Sequence, residues 1–159
     1  MKKIEVAIMM GSSSDLPTMQ EAANVLKEFN VGYEIRVLSA HRTPRETVKY
    51  AEGLKARGVK VVICGAGGAA ALAGVVAAHV TMPVIGVPIE SVLNGLDSLL
   101  STVQMPPGVP VAAVAIGKAG AKNAGILALR IISVSDKKIE KKLQAYADTQ
   151  RKKILQQKV

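Results

Sequence analysis

The sequence predicts an α/β fold: a three-layer, doubly wound, parallel five-stranded sheet in the order 2-1-3-4-5, with an extra C-terminal helix. Three observations carry this. Strand-like and helix-like segments alternate five times over short connections. The strand segments are apolar enough to be buried on both faces, as in parallel sheets covered by helices. The 159 residues suit a single domain.

Each element follows from local chemistry. Ile4 to Met10 is the first strand. Ser14-Asp15-Leu16-Pro17 opens a helix that runs to about Phe29, with cap-forming side chains before an early proline. Tyr33 to Leu38 is the second strand. Thr43-Pro44-Arg45-Glu46 has the pattern of a capping box, and its helix ends near Gly58. Val59 to Cys64 is the third strand, rich in β-branched residues. Gly65 to Gly68 leads into a helix of small residues from about Ala69 to Val80. Pro83 to Val87 is the fourth strand, and a shorter helix spans about Asn94 to Val103. Pro110 to Ile116 is the fifth strand, followed by a helix from Gly120 to Ile132. Residues 1–134 form one α/β catalytic domain. Residues 135–159 form a basic amphipathic helix, with Ile139, Leu143, Tyr146 and Ile154 at helical spacing, packing on that domain or on a neighbouring subunit.

Composition narrows the function. Apolar residues make up 49% of the chain, mostly small aliphatics, with one Phe and no Trp. So apolar a small domain is expected to bury surface against copies of itself. The lone Cys64 excludes a disulfide framework and a multi-cysteine zinc site, and it sits in an apolar run as a buried small hydrophobe. With two distant histidines, no metal site is expected. The uncharged run from Val61 to Ile89 is long enough for a membrane span, but glycines and prolines divide it into strand, loop, helix and strand. At the start, Glu5 and the polar Gly11-Ser12-Ser13-Ser14-Asp15 stretch argue for a strand rather than a signal peptide, hence for a cytoplasmic protein. The net charge of +9 raises nucleic acid as a partner. However, the segment from Asp136 onward carries +5 of it on a solvated helix face without stacking aromatics, so neither nucleic acid nor membrane is expected.

Ligands of open parallel sheets bind beyond the carboxyl ends of the strands. The loop after strand 1, Gly11-Ser12-Ser13-Ser14-Asp15, offers hydroxyls and helix-start amides suited to an anion. The loop after strand 2, Ser39-Ala40-His41-Arg42-Thr43-Pro44, sets a proton-exchanging imidazole beside a phosphate-gripping guanidinium. The other histidine, His79, falls at a helix end and is expected to be structural. The loop after strand 3, Gly65-Ala66-Gly67-Gly68-Ala69-Ala70, matches G-x-G-x-x-A formally, with Glu90 about 25 residues on. Its glycines let the backbone approach a flat ligand. Gln104-Met105-Pro106-Pro107-Gly108-Val109-Pro110 is turn chemistry.

Together these loops, with Asn94-Gly95-Leu96-Asp97-Ser98-Leu99, Gln104-Met105-Pro106 and Ala115-Ile116-Gly117-Lys118-Ala119-Gly120, resemble the PurE family, N5-carboxyaminoimidazole ribonucleotide (N5-CAIR) mutases of purine biosynthesis. The resemblance runs from about Ile4 to the tail helix. It implies a flavodoxin-like sheet and transfer of a carboxylate from N5 to carbon 4 of an aminoimidazole ribonucleotide, without metal or organic cofactor. It implies loss of CO2 from the carbamate, its retention, and recarboxylation of the ring. By motif match, His41 is the acid/base. Ser12 and Arg42 hold the 5′-phosphate, assisted by Gly11 and Ser14. Asp15 binds the ribose hydroxyls and Ser39 helps position the reacting end. The loop Gly65-Ala66-Gly67-Gly68-Ala69-Ala70 forms the CO2-retaining wall, with Gly65, Ala66, Gly67 and Gly68 against the substrate. The family forms homo-octamers.

One departure stands out. The bacterial mutases usually carry His-Leu-Pro-Gly after Gly-Gly-Ala-Ala, whereas this chain has Ala71-Leu72-Ala73-Gly74. The related class that carboxylates aminoimidazole ribonucleotide directly with CO2 also lacks this His, and is the alternative reading. That class usually differs in the glycine loop and after the catalytic His, where this chain keeps Gly65-Ala66-Gly67-Gly68 and Arg42. A non-enzymatic nucleotide-binding module of flavodoxin or Rossmann type is the more distant alternative.

Overall fold

In the computed structural model, which describes residues 3–157, the strands β1 (Val6–Met10), β2 (Tyr33–Val37), β3 (Val61–Ala66), β4 (Val84–Pro88) and β5 (Ala112–Ala113) build one all-parallel sheet. Their order is β2-β1-β3-β4-β5, as the sequence predicts. The helices are α1 (Leu16–Glu28), α2 (Pro44–Glu52), α3 (Leu72–His79), α4 (Leu96–Val103), α5 (Gly117–Ser133) and α6 (Lys137–Leu155). The register pairs Ile8 with Ile35 on one side and with Ile63 on the other, which aligns the carboxyl ends of β1, β2 and β3 along one edge.

Two cores sandwich the sheet. On one face Val6, Ile8, Met10, Val61, Ile63, Ile85 and Val87 pack against α1 and α5. On the other, Ala7, Met9, Val62 and Cys64 meet Ala51, Leu54, Leu72, Ala73 and Val76. Every residue of β1 and β4 is buried, which accounts for their unbroken apolar sequence. Each large aliphatic buried in this way contributes roughly 1.5–3 kcal/mol. The seam between α1 and α5 uses small residues. A Cβ at Gly125 would sit 3.1 Å from the Ala22 carbonyl, so the two backbones approach closely there.

Some element ends shift: α2 stops at Glu52 rather than near Gly58, α3 starts at Leu72 rather than about Ala69, and Gly65 and Ala66 belong to β3. Four further departures bear on the packing. First, β2 is not buried on both faces. It is an edge strand whose Glu34 and Arg36 alternate with Tyr33 and Ile35, and Glu34 pairs with Arg57 at 2.6 Å. An edge strand needs only one apolar face. Second, the fifth strand shrinks from Pro110–Ile116 to Ala112–Ala113, with one further bond from the Val114 amide to Gly86. Third, the expected capping box at Thr43 does not form, because the Thr43 hydroxyl turns back to Ser39 instead of capping α2. Fourth, Ile154 is exposed, so the apolar stripe of α6 stops short of it.

The tail helix is capped by Asp136, whose carboxylate accepts from the amides of Lys138 and Ile139. Ile139, Leu143 and Tyr146 pack onto the α1/α5 core, with Tyr146 edge-on to Phe29 at 5.7 Å between ring centres. Lys142 Nζ donates to the Phe29 carbonyl at 2.9 Å, placing a positive charge at the C-terminal end of α1. The predicted ends of the chain at Met1, Lys2, Lys158 and Val159 lie outside the described residues.

Candidate active site

The loops after β1, β2 and β3 meet at the carboxyl edge of the sheet around an open cavity of about 350 Å³. Gly11, Ser12, Asp15, Ser39, His41, Arg42, Ala66 and Gly67 line it, so eight of the eleven residues singled out from the sequence converge on one place.

The β1 loop is built by Ser12. Its hydroxyl oxygen accepts from the Ser14 amide at 3.3 Å and from the Ser14 hydroxyl at 2.8 Å, capping a short 3-10 turn over Ser13–Asp15. Ser14 therefore supports Ser12 and does not itself line the cavity. Asp15 makes no capping bond to α1 and faces the cavity. Burial pushes its carboxyl above the ordinary 3.8, against the opposing pull of the Ser12 backbone, the Ser14 hydroxyl and the Arg42 charge.

The β2 loop is a tight turn knotted by hydroxyls. The Ser39 carbonyl accepts from the Thr43 amide at 2.9 Å, the Thr43 hydroxyl at 3.1 Å and the Thr47 hydroxyl at 3.2 Å. The Ser39 hydroxyl accepts from the Arg42 amide at 3.2 Å. This turn presents His41 and Arg42, both exposed, to the cavity. Arg42 then crosses to the neighbouring loop and donates from its guanidinium to the Gly11 carbonyl at 2.6 Å. The failed capping box is thereby explained: Thr43 holds the His41 turn rather than the helix start.

The third wall is methyl and backbone. Ala66, Gly67, Ala69, Ala70, Ala71 and Leu72 line it, together with Ala40 from the β2 loop. Ala69 and Ala70 belong to the expected wall, while Ala71, Leu72 and Ala40 extend it. Their signal was the run of small residues continuing past Gly68. Gly65 and Gly68 do not line the cavity. Gly65 lies inside β3, where a Cβ would run into the Met19 sulfur. Gly68 adopts φ +64° and directs its amide at Ser98 Oγ, 2.9 Å away.

Of the other groups raised by the sequence, His79 ends α3 with Nδ1 3.2 Å from Glu52, away from the cavity. Cys64 is buried in β3, and burial pushes its thiol far up. Glu90 and Lys118 are absent from the cavity lining. Among the described residues, no three His, Cys, Asp or Glu side chains cluster as metal ligands, and no helix is long and apolar enough to cross a membrane.

Comparison with known proteins agrees on one family. The family model described as AIR carboxylase matches residues 5–153. A protein of Pyrococcus abyssi named N5-carboxyaminoimidazole ribonucleotide mutase is 59% identical over 145 residues, covering 91% of this chain and 82% of its own length. A Bacillus subtilis protein of the same name is 55% identical, covering 95% of this chain and 94% of its own. The crystal structure of Treponema denticola PurE superposes with a TM-score of 0.87 at 36% identity, covering 94% of this chain and 93% of that one.

Proposed function

The chain belongs to the AIR carboxylase family and is an N5-carboxyaminoimidazole ribonucleotide mutase; from that premise we propose how its cavity performs the reaction. The observation that carries the proposal is the convergence of His41, Arg42, Asp15, Ser12 and Ser39 on one cavity whose remaining wall is glycine, alanine and Leu72.

The 5′-phosphate sits over the β1 loop, where Gly11, the Ser12 hydroxyl and helix-start amides favour an anion, with Ser14 holding Ser12 in place. Arg42 supplies the charge and the paired donors that a phosphate takes. Asp15, as a carboxylate, accepts hydrogen bonds from the ribose hydroxyls. Ser39 steadies the reacting end beside His41. The imidazolium of His41 then protonates N5 as the bond from nitrogen to the carboxyl carbon breaks, releasing CO2 and a free amine. Carbon 4 attacks the retained CO2, and the now neutral His41 takes the proton from carbon 4. The net proton count is zero, so one imidazole serves both half-reactions. The wall of Ala66, Gly67, Ala69, Ala70 and Ala71 offers few polar side-chain groups, which disfavours water and hydration of CO2 to bicarbonate. No cofactor enters this scheme.

Ala71 in the cavity raised direct carboxylation of the decarboxylated nucleotide as the alternative. It is not favoured: relatives sharing more than half of their aligned residues over nearly the whole chain carry the mutase name. Supplying N5-CAIR in one assay, and aminoimidazole ribonucleotide plus CO2 in another, separates the two activities. The expected result is efficient turnover of the first only. In the same assay His41→Asn lowers kcat by roughly 10²–10⁴-fold, the usual contribution of a general acid/base, while nucleotide affinity stays within about threefold. Normal turnover by that variant would remove His41 from the mechanism.

We also infer assembly into a homo-octamer acting in the cytoplasm. The support is an apolar surface on the loop before α4 and on α4 itself: Val92 is 94% exposed, and Leu93, Leu96, Leu100 and Val103 are about half exposed or more. A second copy of the chain covers this surface.

A further inference from the structure

Ser98 is completely buried on α4, outside the cavity, yet its hydroxyl joins the loop after β3, which lines the cavity, to the loop after β4. It donates to the Ile89 carbonyl at 2.7 Å, just beyond β4. It accepts from the Gly68 amide at 2.9 Å, just beyond β3. The Ile89 amide in turn donates to the Ala66 carbonyl at 2.9 Å. Gly68 holds a left-handed φ of +64°, and its flanking residues Gly67 and Ala69 both line the cavity. A Cβ at Gly67 would lie 3.7–3.9 Å from Ile89 and Ser91, so this loop rests directly on the segment that Ser98 clamps. Ser98 is itself braced. Thr102 donates to its carbonyl at 2.7 Å. The Ser91 hydroxyl, 3.3 Å away, is held within 2.6 Å of both oxygens of the Asp97 carboxylate. That contact also keeps the Asp97 carboxyl below its ordinary range. The Gly68 peptide therefore has one position, set by a hydroxyl that touches no substrate.

We propose that Ser98 is a positioning residue for CO2 retention: by fixing the Gly68 amide it holds the Gly67–Ala69 wall shut during the interval between loss and return of the carboxyl group. The proposal rests on the mutase reading above. It separates two tasks within the cavity. The loops after β1 and β2 hold the nucleotide and move the proton, whereas the Ser98-held loop decides whether CO2 stays. Loosening that loop leaves nucleotide binding intact and lets CO2 leave, so the amine accumulates as aminoimidazole ribonucleotide in place of the carboxylated product.

The test is product partition. N5-CAIR is given to the wild-type enzyme and to Ser98→Ala, and both products are quantified against the uncatalysed decay of the substrate. The expected result is at least a fivefold rise in decarboxylated nucleotide per carboxylated product, with KM changed by less than twofold. Once the uncatalysed decay is subtracted, this ratio is insensitive to the fraction of folded enzyme, so a merely structural role would not move it. Ser98→Cys, similar in size but a weak hydrogen-bonding partner, gives the same shift and serves where Ser98→Ala does not fold. Amide hydrogen exchange supplies the direct readout: Gly68 loses protection in the variant while Ile63 and Cys64 keep theirs. An unchanged partition ratio in a folded variant overturns the proposal, as does loss of protection along the whole of β3. If the wild-type enzyme forms no carboxylated product, the mutase reading fails instead. The exchange result then still decides whether Ser98 holds Gly68.

Discussion

The guanidinium of Arg42 donates to the carbonyl oxygen of Gly11 across 2.6 Å, tying the loop after β2 to the loop after β1. In the free protein this bond holds a positive charge beside the β1 loop at the cavity. A phosphate arriving over the β1 loop meets a donor already in place, so little ordering cost remains.

Arg42→Ala removes both the charge and the tie. Hydrogen bonds to charged groups contribute about 1.5–3 kcal/mol, and 1.4 kcal/mol is tenfold. KM for the nucleotide is therefore expected to rise roughly 10–100-fold. The steady-state split tests the assignment, because kcat should fall less than KM rises. Arg42→Lys is expected to recover only part of the loss, since an ammonium lacks the planar fork. An unchanged KM would remove the phosphate from this position.

Asp15 gives a pH dependence with a definite sign. Its carboxyl in the folded protein titrates above 3.8, principally through burial. A raised carboxyl favours the protonated form when folded, so its contribution to stability declines as pH rises from 3.8 through the raised value. Ligand binding runs the other way, because the carboxylate is the form that accepts from ribose hydroxyls. Nucleotide affinity is thus expected to fall as pH drops through the raised value. Asp15→Asn should bind more weakly at neutral pH and lack this acid limb. Calorimetric titration across acid to neutral pH, on both proteins, checks it. An acid limb that persists in Asp15→Asn would assign it to another group.

Gly120 tests the packing of α5. A Cβ there would run into the backbone carbonyl of Ala115, which cannot move aside like a side chain. Gly120→Ala is expected to cost about 1–3 kcal/mol, the usual range for overpacking, or more. For a domain of this size each kcal/mol lowers Tm by about 2–4 °C. A thermal melt showing no loss would mean that the α5 start shifts freely.

The apolar surface around α4 carries the assembly prediction. Leu93→Glu places a charge on exposed, apolar ground next to Val92 and Leu96, so the isolated chain should tolerate it. Light scattering is expected to show the wild type at eight times the mass of the chain and the variant at a smaller multiple. An unchanged oligomer would mean that copies meet through another surface.

The sequence disclosed the fold through its punctuation. The run from Val61 to Ile89 resolved correctly into β3, loop, α3 and β4 because glycines and prolines marked each boundary. The fifth strand was over-read for the converse reason. Pro110 to Ile116 is uniformly apolar, but only Ala112 and Ala113 pair with β4, and the Val114 amide makes the last bond to it before the chain departs toward Gly117, where φ is +73°. Most of the candidate site was legible because His41, Arg42 and Asp15, unusual residues at strand ends, line one cavity. Gly68 belongs to the wall by its sequence pattern, whereas in the fold its amide turns to Ser98. Ser98 carries no such signal: a serine in an amphipathic helix looks ordinary until the fold brings Gly68 and Ile89 to it.

The bond from Lys142 to the Phe29 carbonyl has a practical corollary for anyone instrumenting this enzyme. α1 is a 13-residue rod, about 20 Å long, with the cavity at its start and the tail helix seated at its end. A fluorophore attached at Thr149, which faces the Glu28–Phe29 end of α1, therefore reports from the end of that helix opposite to the cavity. It can follow docking and release of the tail while leaving the nucleotide undisturbed.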